Sequence, residues 1–196
     1  MAKIRDNAQR AAIVVRNLLT FARPSKPQRK PIQLNDEVRH VVDLRSYELH
    51  VSNIEVTLSL KRDLPRTFAD PRQLQQVFLN ILVNCEQAIL SAKQGGRIAI
   101  STAEVDGFVR ASFSDDGPGI KPENFKRLFQ PFFTTKEPGK GTGLGLSISQ
   151  SILAEHGGRI RAESEPGRGA TFIVELPIMH EAPVHTAGAV HERNQS

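Results

Sequence analysis

A chain of 196 residues that is 39% hydrophobic and 24% charged has the apolar material for one good-sized domain plus extensions. Its single cysteine, Cys85, excludes an internal disulfide and agrees with a reducing compartment. No run approaches the ~18 apolar residues of a membrane span and the N-terminus lacks a signal-peptide core, so a soluble chain with no membrane segment is expected. The net charge of +5 is local: residues 1–31 carry eight basic side chains against Asp6 alone, which leaves the remainder at −2. Nucleic-acid binding requires a basic face on the folded domain, so no nucleic-acid partner is expected.

In chain order, Ile4, Ala8, Ala11, Val15, Leu18 and Ala22 repeat at 4-3-4-3-4 spacing, the seam of an amphipathic helix within residues 1–23. Pro24, Pro27 and Pro31 end it and make a stiff, charged linker over 24–31. Asn35 is placed to cap a helix from Asp36 to Leu49. Ile54, Val56, Leu58 and Leu60 alternate as a strand. Asp70-Pro71 is a cap and first helical residue, followed by an apolar face at Leu74, Val77, Phe78, Ile81, Leu82, Cys85 and Ala88. A hairpin of Arg97–Thr102 and Phe108–Phe113 turns near Asp106-Gly107. A helix from about Thr142 stops at Gly157-Gly158, and a last hairpin joins Arg159–Glu163 to Thr171–Leu176. Residues 179–196 lack a pattern and read as a disordered tail. The sum is an α/β two-layer sandwich over residues 32–178, a mixed sheet with three main helices on one face.

Three stretches carry chemistry. In Gly139–Ser149, Gly139, Gly141, Gly143 and Gly145 alternate and lead into a helix N-terminus, an arrangement that exposes backbone N–H groups to phosphate. The run is neither GxxxxGK followed by Ser or Thr nor GxGxxG after a strand, so a P-loop and a Rossmann turn are both excluded. Asp115-Asp116-Gly117-Pro118-Gly119 follows a strand, where a carboxylate can accept from an exocyclic amine and glycine lets a flat ring approach. Asn80 and Asn84 are four apart on one helix face and present amide oxygens to a hard cation. Singly, each has a plain alternative: a surface loop, a Gly-Pro turn, a pair of capping asparagines.

Together and in this order they resemble the ATP-binding catalytic domain of sensor histidine kinases, in the wider family of gyrase, Hsp90 and MutL. Asn80–Ala88 resembles the N box, Asp115–Ile120 the G1 box, Leu128–Lys136 the F box, Gly139–Ser147 the G2 box, and Gly167–Phe172 the closing GxGxxF element. The resemblance covers about Ile32 to Pro177 and implies the Bergerat-type fold with ATP and Mg²⁺ as cofactors. It implies that Asp115 holds the adenine amino group, Gly117 and Gly119 shape the adenine wall, Asn84 carries Mg²⁺, and Asn80 lies close to the phosphates. It implies further that Gly141, Thr142, Gly143, Leu144 and Gly145 cover the phosphates, that Thr171 belongs to the nucleotide site, and that Lys136 or Lys140 reaches the γ-phosphate. Phe129, Phe132 and Phe133 are expected to anchor the lid, Pro131–Gly143, by packing. Family members that hydrolyse ATP carry glutamate where this chain has Asn80, an amide that is a poor general base, so phosphoryl transfer is favoured over hydrolysis. Cys85 and Asp116 stand where alanine and asparagine are more usual.

None of the six histidines lies in an acceptor motif. The first helix resembles the second helix of a dimerisation hairpin. The resemblance therefore implies a histidine kinase's catalytic part, whose phosphoacceptor is a histidine-bearing hairpin outside this chain. The implied partners are that hairpin, a response regulator receiver domain and a second copy in a full-length homodimer. The implied location is the cytoplasm, either free or as the cytoplasmic part of a membrane-bound sensor. The other readings are a stand-alone serine kinase or ATPase of the superfamily, and a nucleotide-binding pseudo-kinase.

Overall fold

A computed structural model describes residues 27–136 and 141–179. The first helix, the start of the linker, Gly139, Lys140 and all of the tail beyond Met179 lie outside the described residues. Strand β1 (Lys30–Ile32) leads into helix α1 (Leu34–Val51), then β2 (Ile54–Ser59), β3 (Thr67–Ala69) and helix α2 (Pro71–Ala92). There follow β4 (Gly96–Val105), β5 (Phe108–Asp115), the short α3 (Pro122–Phe125), α4 (Gly145–Glu155), β6 (Arg159–Ser164) and β7 (Ala170–Pro177).

The main sheet has the order β2-β4-β5-β7-β6. β2 runs parallel to β4 and the other neighbours are antiparallel, as a mixed sheet requires. β1 and β3 form a separate antiparallel pair. Two expectations change here. The segment read as linker contributes β1, because Pro31 sits at an edge where no ladder N–H is needed. Asn35 does not cap α1; Gln33 holds that position, and Asn35 is buried within the first turn. Its Nδ2 donates to the Lys61 carbonyl (2.8 Å) and its Oδ1 accepts from Thr102 Oγ1 (2.8 Å), so the amide ties α1 to β4. At the far end, Met179 N–H bonds to the Arg66 carbonyl (2.8 Å), one residue past the expected domain boundary.

Helix α2 is the centre of the helical layer. Asp70 Oδ1 accepts from the N–H groups of Arg72 (2.9 Å) and Gln73 (3.3 Å), with Pro71 at the first position, so the start is fixed chemically. Leu74, Val77, Phe78, Ile81, Leu82, Cys85 and Ile89 are all fully buried. They pack on the inward row of β5, where the Phe78 and Phe113 ring centroids are 5.4 Å apart. Asp106 and Gly107 both have positive φ and close the β4–β5 hairpin at the expected place. Helix α4 ends as expected, with the Gly158 N–H on the Leu153 carbonyl (2.8 Å). His156 sits there, its Nε2 accepting from Asp70 N–H (3.0 Å) and its Nδ1 on the Ile152 carbonyl (2.8 Å), a packing role that locks α4 to the start of α2. Among the described residues no helix is long and apolar enough to cross a membrane.

Candidate nucleotide site

Alternation along β5 turns Val109, Ala111, Phe113 and Asp115 to the same side, toward α2. Asp115 is thus a carboxylate in the next position of an apolar row, and only 6% of it is exposed. Its Oδ1 accepts from the Gly117 N–H (2.9 Å). Its Oδ2 is buried and has no hydrogen-bond partner. The Cys85 thiol and the Ala170 N–H are close enough to favour the charged form, but neither bonds Oδ2 with normal geometry. Burial dominates and pushes the Asp115 pKa above its ordinary value. Burial and the adjacent Asp115 charge likewise push the Cys85 thiol up, so it stays protonated.

Gly117 passes close to α2. A Cβ there would lie 2.8 Å from Asp115 Oδ1 and 3.3 Å from both the Ala88 carbonyl carbon and the Ile89 nitrogen. Gly119 is turned away from α2 and lies against Ser164, Glu165 and Gly169. Asp116, which stands where asparagine is more usual, is a clamp: Oδ1 accepts from Arg97 N–H (2.9 Å) and Oδ2 pairs with Lys93 Nζ (2.7 Å). Burial raises its pKa, but the Arg97 N–H and the Lys93 ammonium outweigh that and hold it below the ordinary value.

The polar face of α2 gathers the remaining parts. Asn80 Nδ2 donates to the Gly145 carbonyl (3.0 Å) and to Ser149 Oγ (3.2 Å), and Ser149 Oγ donates back to Gly145 (2.9 Å). Asn80 therefore fixes the start of α4 against α2. One turn on, Asn84 Oδ1 accepts from Lys136 Nζ (3.1 Å), and Gln87 Oε1 takes the same ammonium. Burial lowers the Lys136 pKa from the ordinary lysine value. From Asn80 to Ala88 these anchor points span about 12 Å of helix.

The glycine segment meets this face. Gly141 lies on Thr134 and Lys136. Leu144 N–H reaches Thr142 Oγ1 at 3.4 Å, and Leu144 itself is buried at the N-cap. That cap makes no side-chain hydrogen bond, so α4 keeps unsatisfied N–H groups at an end that favours anions. Gly143 has φ +65°, and a Cβ there would lie 2.4 Å from the Phe132 carbonyl carbon. Its own carbonyl accepts from Phe132 N–H (3.0 Å).

Two expectations are corrected. Thr171 lies on the opposite face of the sheet from Asp115, its Oγ1 2.8 Å from Ser114 Oγ, and it lines a separate groove with Phe125 and Arg168. Strand alternation is the reason: Ala170 is the residue across from Asp115. Phe132 does not pack; its φ of +65° turns the ring outward, 67% exposed, and it holds the glycine segment through its backbone instead. Phe129 does pack against the core, and Arg127 lies over the Phe133 ring at 4.4 Å. Gln87, Ser149 and Asp116 were not legible as site residues, although Gln87 continues the Asn80–Asn84 face at the next i+3 step.

A sequence profile of the family described as histidine kinase-, DNA gyrase B- and HSP90-like ATPase matches residues 69–180. The chain belongs to this family. Sporulation kinase E of Bacillus subtilis (strain 168) is 36% identical over 180 residues, which is 91% of this chain and 24% of that protein. The crystal structure of full-length ShkA in complex with AMPPNP matches 92% of this chain and 38% of its own, at 29% identity and a TM-score of 0.79. The nucleotide-free catalytic domain of the histidine kinase ThkA matches 77% of this chain and 96% of its own, at 35% identity and a TM-score of 0.68. The chain thus spans about a quarter of the curated relative and nearly all of an isolated catalytic domain.

Proposed function

We propose that this chain is the ATP-binding catalytic part of a two-component sensor histidine kinase. The observation that carries the reading is Asp115 Oδ2, a buried carboxylate oxygen with no partner. A buried acceptor left unpaired costs about 1–3 kcal/mol, and an adenine amino group would supply the missing donor. Gly117, pressed to the α2 backbone, leaves the wall beside it without a side chain, and Gly119 continues the same turn toward β6 and β7. Asn84 and Gln87 offer hard amide oxygens already gathered around a cation, a donor set that fits Mg²⁺. When bound, the ion supplies charge neutralisation on the phosphate oxygens. The uncapped start of α4, with Gly143 to Gly145, suits the phosphates, and Lys136 is within the same cluster to meet the γ-phosphate. Lys140 is a second lysine for that role.

Asn80 supports transfer over hydrolysis. Its amide donates to Gly145 and Ser149 and takes up no proton, so no general base stands at that turn to activate water. The phosphoryl group passes to a histidine on a dimerisation hairpin that pairs two copies of the full-length protein, and from there to a response regulator receiver domain. ThkA, whose complex with the response regulator protein TrrA matches 90% of this chain at a TM-score of 0.74, supports that partner class. The setting is the cytoplasm, or the cytoplasmic side of a membrane-bound sensor.

The test is addition of a separate histidine-bearing hairpin and radiolabelled ATP with Mg²⁺. Acid-labile label on the hairpin is the expected result. Phosphate release without label on the hairpin would make the chain an ATPase, and no nucleotide binding by calorimetry would sink the reading altogether.

A further inference from the structure

Lys136 reaches α2 from the segment Pro131–Lys136. Its ammonium donates to Asn84 Oδ1 at 3.1 Å and to Gln87 Oε1. These residues are three apart on one helix, so their amide oxygens stand side by side. The convergence is held from behind. Lys136 N–H bonds to Thr134 Oγ1 (3.2 Å), and a Cβ on Gly141 would lie 2.8 Å from that oxygen and 3.1 Å from Lys136 Cδ. Both sides of the glycine segment are thus gathered around the lysine stem. Two neutral oxygens arranged on one positive charge form a cation site, and a side chain of the protein fills it.

We propose that Lys136 is a stand-in for the metal. Without nucleotide its ammonium occupies the position between Asn84 and Gln87; the divalent cation that arrives with nucleotide displaces it and unfastens the Pro131–Lys136 segment from α2. This rests on the reading of Asn84 as the Mg²⁺ ligand and adds Gln87 as the second oxygen. Ammonium and metal compete for these oxygens, because two cations a few ångströms apart repel. Metal entry therefore carries a built-in opposing term, the loss of charge-assisted hydrogen bonds, and a built-in consequence, a lysine freed beside the phosphates.

ADP is the ligand for the test, since it lacks the γ-phosphate and so leaves Lys136's other role out of the measurement. Calorimetry compares ADP affinity in EDTA and in Mg²⁺ for the wild type, Lys136→Met and Lys136→Gln. The readout is the Mg²⁺ gain within each protein, its ADP affinity in Mg²⁺ over that in EDTA, so a change in EDTA affinity cancels; the gain is expected to be about tenfold larger in both variants than in the wild type. In the wild type, hydrogen exchange at Phe132–Lys136 is expected to be unchanged by ADP in EDTA and to quicken with Mg²⁺ and ADP. An equal Mg²⁺ gain in all three proteins overturns the stand-in and leaves nucleotide binding untouched. Slower exchange with Mg²⁺ also overturns it. No ADP binding to any of them overturns both this proposal and the nucleotide reading. Should Lys136→Met not fold, the Gln variant and the wild-type exchange decide the matter.

Discussion

Two buried carboxylates stand on adjacent strands of one sheet and are treated in opposite ways. Glu175 on β7 faces away from the helices and is 1% exposed. Arg110 Nε donates to its Oε1 (2.8 Å) and Arg159 to its Oε2, so both oxygens are met. Burial raises its pKa, but the two guanidiniums win and hold it below the ordinary value. Asp115 on β5 faces the helices, receives the Gly117 N–H on one oxygen, keeps the other unpaired, and has its pKa raised by burial. The chain completes the carboxylate that only holds strands together and leaves one partner short the carboxylate to which the proposed function assigns the adenine amine.

The sharpest way to break the contrast is Asp115→Asn. Nucleotide affinity is expected to fall by about 1.5–3 kcal/mol, the scale of a hydrogen bond to a charged group, while the nucleotide-free protein becomes no less stable. Calorimetry and urea denaturation read the two halves; unchanged affinity sinks the assignment. Glu175→Gln should do the reverse. It should lower stability by about 2 kcal/mol in urea, because two guanidiniums lose their counter-charge, and leave nucleotide affinity as it was. A shared loss in both assays would show that the two faces of the sheet are not independent.

Acid titration separates them by sign. Asp115 has a folded pKa above its unfolded one, so its ionised form costs the fold stability at neutral pH, and that cost fades as pH falls. Glu175 has a folded pKa below its unfolded one, so its stabilisation is full above the unfolded value and is lost as pH falls through the folded value. Nucleotide affinity is therefore expected to drop first, on protonation of Asp115, and the fold to fail at lower pH. Circular dichroism that collapses before binding does would contradict this order. The smallest effect belongs to Asn80→Ala, which removes the donors to Gly145 and Ser149. About 1 kcal/mol of stability should go, with faster hydrogen exchange at the start of α4. Unaltered exchange there would mean that Asn80 does not anchor that helix.

What was legible followed from periodicity and from end signals. Asp70-Pro71, Asp106-Gly107 and Gly157-Gly158 each dictate one local geometry, and all three boundaries are where the sequence puts them. The Asp115, Asn84 and glycine motifs come together on α2 and at the end of β5 because each is tied to an element whose face is set by core residues. What escaped depends on long-range partners. Asn35 reads as a cap until Lys61 and Thr102 arrive from elsewhere in the chain to bond it. Thr171 sits in a motif that suggests the pocket, and only the register of β7 against β5 shows that Ala170 faces that way. Phe132 has the composition of an anchor, but a positive φ sends its ring to solvent.

Asn80, Asn84 and Gln87 share a direction only because α2 is unbroken from Pro71 to Ala92. One residue inserted between Leu82 and Val83 would rotate Asn84 and Gln87 by about 100° relative to Asn80. The same insertion would swing Cys85 and Ile89 out of the interior. The polar row proposed to meet the ligand and the interior row thus share one reading frame, and no change of length within this helix can be absorbed where it occurs. Length variation in related chains is expected instead at the β4–β5 and β6–β7 turns, where a Cβ on Gly107 or Gly167 would meet nothing within 4 Å.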